Sequence, residues 1–114
     1  MASSKVNDSF SQTALAQEPA FQGRVRSAMS TVAWAVLNED PSTPNHDKRA
    51  AFARTVLSNG TFAAQTAAPW LVERPNVLTA ETSYDFHARA ITTAATDADL
   101  VNQLTTDWDI LSGV

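Results

Sequence analysis

Between Pro19 and Asp40 runs one unbroken helical period, and no other stretch constrains the fold as tightly. Steps of about 100° per residue put Phe21, Val25, Ala28, Met29, Val32, Ala35 and Val36 on one side, the i, i+3, i+4, i+7 pattern of a helix that buries a stripe. Arg24, Arg26, Ser27, Ser30, Thr31 and Asn38 fall largely outside it. Pro19 suits a first helical turn, where its missing N–H is not needed, and Glu18 suits the positive helix end. Asn38, Glu39, Asp40 and Pro41 then stop the run. Such a helix is roughly 30 Å long, enough to span a small domain. Trp34 breaks the pattern: it points almost opposite to the stripe, on the side of Gly23. The helix therefore offers large apolar area on two sides, and it is either sandwiched inside its own domain or has a second face reserved for another chain.

The rest of the chain is short enough to pack around this rod. A length of 114 residues fits one domain, 1–114, with enough chain for a core. Alanine and threonine are plentiful and glycine is confined to Gly23, Gly60 and Gly113, which favours helices over a turn-rich β-sandwich. The expected fold is all-α, a small bundle of four to five helices around a long central helix at about 19–39. No cysteine is present, which excludes disulfides, thiolate metal sites and a cysteine nucleophile. The opening MASSKVNDSF lacks the apolar core of a signal peptide, and no run approaches the ~20 apolar residues of a membrane span. The expectation is a soluble protein made in the cytoplasm, with no membrane partner.

Charge is unevenly placed. All eight Lys and Arg and eight of the twelve Asp and Glu lie in residues 1–96, so the net charge of −4 sits entirely in 97–114. Without clustered cations, direct nucleic-acid binding is not expected, although Arg24 and Arg26 make a small local patch. The acidic end is either a solvated helix face or a surface for a basic protein.

In chain order, residues 1–9 read as an extended arm. Asp8 or Ser9 caps a short helix through Glu18 that carries Phe10, Ala14 and Leu15 on one side. DPSTPNH, residues 40–46, is a turn cluster. Thr43 as cap and Pro44 at the first position start a second helix to about Ser58, with Arg49, Phe52, Ala53, Val56 and Leu57 at helical spacing. Asn59-Gly60 ends it, with Gly60 as the left-handed residue. A third helix runs from Phe62 to about Ala68, where Pro69 stops or kinks it. Residues 69–77, PWLVERPNV, read as an irregular apolar segment that either covers the core or meets a partner. Residues 79–93 fit a helical stripe of Ala80, Tyr84, Ala88 and Ile91, or else a short β-hairpin in which Tyr84, Phe86, Ala88 and Ala90 alternate. Thr96 and Asp99 form a capping box for a last helix with Leu100, Leu104, Trp108 and Leu111 on one side. Asp107 and Asp109 near its C-terminus each oppose the helix dipole by about 0.3–1 kcal/mol, a cost that a basic partner or solvent would offset.

Catalytic chemistry finds little support. His46 lies near Asp47 and Arg49, and His87 near Asp85 and Arg89, pairs that acid–base work uses. There is no glycine-flanked serine, no histidine pair at i, i+4 and no Gly-rich phosphate loop. Asp97 with Asp99 and Asp107 with Asp109 are explained by capping and solvation. The chain reads as a non-enzyme with no cofactor or metal.

Three blocks carry a resemblance: Phe21-x-x-Arg24-Val25-x-x-Ala28-Met29 with Ala33 and Glu39; His46-x-x-Arg49-x-x-Phe52-Ala53-x-x-Val56-Leu57; and Asp97-x-Asp99-Leu100, Trp108 and Leu111-x-Gly113-Val114. Over about 20–60 and 97–114 the chain resembles the small helical proteins encoded among the structural genes of tailed bacteriophages. The resemblance implies a virion component, made in the host cytoplasm and without catalytic residues. It suggests a head–tail connector or neck subunit that joins copies of itself and a portal-like, tail or capsid partner; a capsid decoration protein and a small cytoplasmic binding module are the alternatives. Aromatic anchors dominate interfaces, so Trp34, Trp70 and Trp108 are candidate contacts. Leu71, Asp107, Asp109 and Leu111 accompany them, with the acidic last helix as docking element. On that view, removal of 97–114 leaves a soluble protein that no longer joins its partner, whereas unfolding would mark the segment as core.

Overall fold

The computed structural model describes residues 16–72 and 96–114. Four helices are described: α1 Pro19–Leu37, α2 His46–Ser58, α3 Gly60–Val72 and α4 Asp97–Leu111, with no strand among the described residues. The fold is all-α, and α1 is its central rod, in contact with each of the other three. Phe21, Val25, Ala28, Met29, Val32, Ala33 and Val36 form its buried side. Ala33 takes the place expected for Ala35, which is exposed, so the stripe is turned slightly from the sequence reading.

The α1–α2 corner is held by local polar groups. Asn38 Nδ2 donates to the Trp34 carbonyl at 2.9 Å, and Asp40 Oδ1 accepts from the Ser42 N–H and hydroxyl, both at 2.9 Å. Those Ser42 donors hold the Asp40 carboxyl below its ordinary range. Asn45 adopts a left-handed φ of 62°, which asparagine tolerates, and α2 starts after it at His46 rather than at Pro44. Thr43 is therefore not the cap; its carbonyl accepts from the His46 N–H at 3.0 Å.

Only Asn59 separates α2 from α3. Gly60, expected to be left-handed, is instead the first residue of α3. Its missing side chain matters for another reason: a Cβ there would meet Arg26 Cγ at 3.2 Å, so glycine lets α3 start against α1. The left-handed glycine is Gly113, φ 84°, at the end of α4. Around it the Gly113 N–H donates to the Ile110 carbonyl and the Val114 N–H to that of Asp109, which satisfies two otherwise orphan carbonyls.

The expected stop at Pro69 does not occur. Helix α3 passes through it to Val72, so residues 69–72 are helical rather than irregular, while 73–77 lie outside the described residues. An interior proline costs a helix about 3 kcal/mol through a lost N–H and a clash with the preceding turn. Two anchors beyond Pro69 oppose that cost: Leu71 is wholly buried, and the Trp70 indole is hydrogen-bonded to α4. Ala63, Ala64, Ala67 and Ala68 line the buried side of α3, small enough for close packing.

Helix α4 opens with the expected capping box: the Asp99 N–H donates to Thr96 Oγ1 at 3.1 Å, and the Thr96 N–H to Asp99 Oδ2 at 3.0 Å. Leu100, Leu104 and Trp108 then complete the core, with Phe52 and Leu111 packed against it. The arm at 1–9, the short helix before Ala16 and the helix-or-hairpin choice at 79–93 lie outside the described residues.

Trp108 is wholly buried and its ring lies 4.9 Å from that of Phe52. Trp108→Ala is therefore expected to lower the unfolding free energy by about 3–5 kcal/mol in a denaturant titration, enough to unfold much of a domain this size.

Candidate functional site

The ends of three helices meet on Arg49. Its Nε and Nη2 donate to Glu39 Oε2 and Oε1 at 3.1 and 3.0 Å, and its Nη1 donates to Asp109 Oδ1 at 2.6 Å. The planar guanidinium fork suits such two-point recognition of a carboxylate. His46 Nδ1 lies 2.8 Å from Glu39 Oε2 and donates in the tautomer protonated there. The same Arg49 accepts, on its carbonyl, the Trp108 indole N–H at 3.2 Å. Hydrogen bonding from Arg49 holds the Glu39 carboxyl below its ordinary value, against partial burial and with help from His46, while Glu39 raises Arg49 in return.

A second knot joins α3 to α4. Trp70 Nε1 and Gln103 Nε2 donate to Asp107 Oδ2 at 2.6 and 2.9 Å. Asp107 is buried, as is Gln103, whose Oε1 finds no partner among the described residues. At the far end of α4, Arg24 Nε donates to the exposed Asp97 at 3.2 Å. With Arg24 and Asp97 paired near the two N-termini and Arg49 joining the two C-terminal ends, α1 and α4 run in the same direction.

These bonds settle where the candidate contacts stand. Trp108 and Leu71 are wholly buried and Asp107 nearly so; they are withdrawn as partner contacts, because each is spent inside the molecule. Trp70 is half-buried on Asp107, Asp109 is half-exposed on Arg49, and Leu111 packs against the core. The acidic last helix is thus not free to dock on a basic surface: each of its four aspartates has a partner within the chain. Arg49, not a basic protein, offsets the charge of Asp109 at the helix end.

Trp34 differs from the other two tryptophans. It stands 58% exposed on the side of α1 opposite the core. Further along α1 is a hollow of about 250 Å³ lined by Pro19, Gln22, Gly23, Arg26, Thr61 and Ala64. Arg26 Nη1 donates to Thr61 Oγ1 at a long 3.3 Å there. The large exposed apolar side chains Phe62, Ile110 and Val114 lie on other helices or at the chain end.

His46 belongs to the Arg49 cluster, and His87 lies outside the described residues. Among the described residues no group of three or more His, Asp or Glu is placed to hold a metal ion. No described helix is long and apolar enough to cross a membrane. Sequence reasoning missed the Glu39–Arg49–Asp109 cluster because Arg49 and Asp109 are 60 residues apart; only the periodic position of Arg49 beside Phe52 and Ala53 hinted that its side chain lies near the core edge.

Comparison of the chain with family models, with curated proteins and with solved structures finds no match in any of the three.

Two outcomes follow for solution measurements. The folded-state carboxyl of Glu39 titrates below its ordinary value of 4.5, so its contribution to stability is complete above about pH 4.5 and is lost as pH falls through the lower folded-state value. Glu39→Gln is expected to cost about 1–3 kcal/mol at neutral pH, with the difference from wild type closing below pH 4.5 in denaturant titrations repeated across pH. Removal of 97–114 takes Leu100, Leu104 and Trp108 out of the core, so the truncated chain is expected to lose its cooperative unfolding transition in calorimetry.

Proposed function

We propose that this chain is a non-enzymatic structural subunit of a tailed-bacteriophage virion, acting at the head–tail junction by contact with copies of itself and with a portal-like protein. The observation that carries the reading is Trp34, a large aromatic held outward on the longest and best-packed helix. Monomeric proteins can expose single apolar residues without consequence, but an indole fixed on a rigid rod loses little freedom on contact, which makes it an efficient anchor. The resemblance of 20–60 and 97–114 to small phage structural proteins supplies the context. The use of the aspartates of α4 inside the fold shifts the contact from the acidic end to the outer side of α1.

Mass spectrometry of purified particles tests the reading. The chain is expected in particles at the copy number of one ring rather than of a shell lattice, and Trp34→Ser is expected to remove it from them. Because Trp34 touches no core residue's role, the same substitution should change unfolding free energy by no more than about 0.5 kcal/mol. Absence of the wild-type chain from particles would overturn the proposal.

A further inference from the structure

We infer that the outer side of α1 carries both halves of a self-complementary contact, in which Trp34 of one copy enters the hollow beside Gly23 of a second copy and the reverse contact forms by two-fold symmetry. The inference rests on the reading of the chain as a self-associating subunit and names the surface that does it.

Trp34 and Gly23 are eleven residues apart, close to three helical turns, so they lie on nearly the same side of α1 and roughly 16 Å apart along it. One is a projecting indole, 58% exposed. The other opens a recess: a Cβ on Gly23 would meet nothing within 4 Å. The recess, about 250 Å³, is below the roughly 300–1,000 Å³ of sites for drug-sized ligands and is on the scale of one large side chain. Between the two features α1 shows Ser27, Ser30 and Thr31, small and uncharged, so two such helices can approach.

Electrostatics selects the occupant. Arg26 lines the recess, and a guanidinium attracts the negative face of an indole. The stretch of α1 from Pro19 to Leu37 contains no carboxylate, so the net charge of −4 on each copy is not concentrated where the two would meet. A two-fold axis satisfies knob and recess together, whereas an unrelated partner would have to supply a matching pair at the same spacing. Two tryptophans buried at about 150–250 Å² each, together with the α1 surface between them, move toward the roughly 1,200–2,000 Å² of a stable interface.

Light scattering and sedimentation on the full-length protein test this with two variants. Trp34→Ala removes the knob, and Gly23→Leu fills the recess without disturbing the fold, since its Cβ has open space. Wild type is expected to be dimeric, and each variant to dissociate at concentrations on the order of thirtyfold higher or more. Mixed together, the two variants are expected to regain part of the association, because the intact knob of one meets the intact recess of the other. A dimer that both variants leave unchanged, or no rescue in the mixture, would overturn the inference. A monomer in which Trp34 is shielded from a soluble quencher would also overturn it, by showing that another segment of the same chain covers the face. The phage reading fails separately, through absence from particles; a dimer dependent on Trp34 and Gly23 but absent from particles would uphold the contact and reject the location.

Discussion

Arg49 is bonded at both ends of its structure, and the positions of three helices depend on that double use. Its guanidinium closes on Glu39 at the end of α1 and on Asp109 near the end of α4, while its carbonyl receives the Trp108 indole from the core side. A partly buried guanidinium must be matched in charge and hydrogen-bonding geometry or it destabilises the fold. Here Glu39 matches it at two points and Asp109 at a third, with His46 closing the far side of Glu39. The arrangement seats Trp108, and Trp108 with Leu100 and Leu104 closes the core that α1 began.

That internal economy decides which surfaces remain for other molecules. The four aspartates that give the chain its net charge are each engaged: Asp97 by Arg24, Asp99 by the Thr96 cap, Asp107 by Trp70 and Gln103, and Asp109 by Arg49. A helix end that looks ready for a basic partner is instead the last layer of the bundle. What the fold leaves over is apolar and aromatic rather than acidic, and it lies on the outer side of α1, where small residues separate one exposed indole from one shallow recess. The central helix therefore has two roles set by two faces about half a turn apart: one organises the domain, and the other is available for assembly.

Local signals were legible and distant ones were not. The period of 19–37, the Thr96–Asp99 box and the spacing of Leu100, Leu104 and Trp108 follow from interactions within a few residues, and the structure has them. Pro69 misled because proline's cost is local, while the anchors that outweigh it, Leu71 and the Trp70–Asp107 bond, depend on α4 some 37 residues away. Gly60 misled in the same way: a glycine after a helix signals a left-handed turn, but this one is set by the approach of Arg26 from α1. Of the three tryptophans, only Trp34 was placed by periodicity alone. Trp70 and Trp108 look equally ready for a partner in sequence, and only their bonds to Asp107 and the Arg49 carbonyl assign them to the fold.

The most direct test of this account is a fluorine NMR titration of the full-length protein labelled with 5-fluorotryptophan, which reports its three indoles separately. In dilute solution one resonance, that of Trp34, should respond strongly to exchange of water for deuterium oxide, while the wholly buried Trp108 should not and the half-buried Trp70 should respond weakly. As concentration rises, the Trp34 resonance alone should shift and lose its solvent response. A Trp108 resonance that responds as an exposed indole would contradict the Arg49-centred core, and a Trp34 resonance that stays unchanged while the particle mass grows would contradict the assignment of the assembly face.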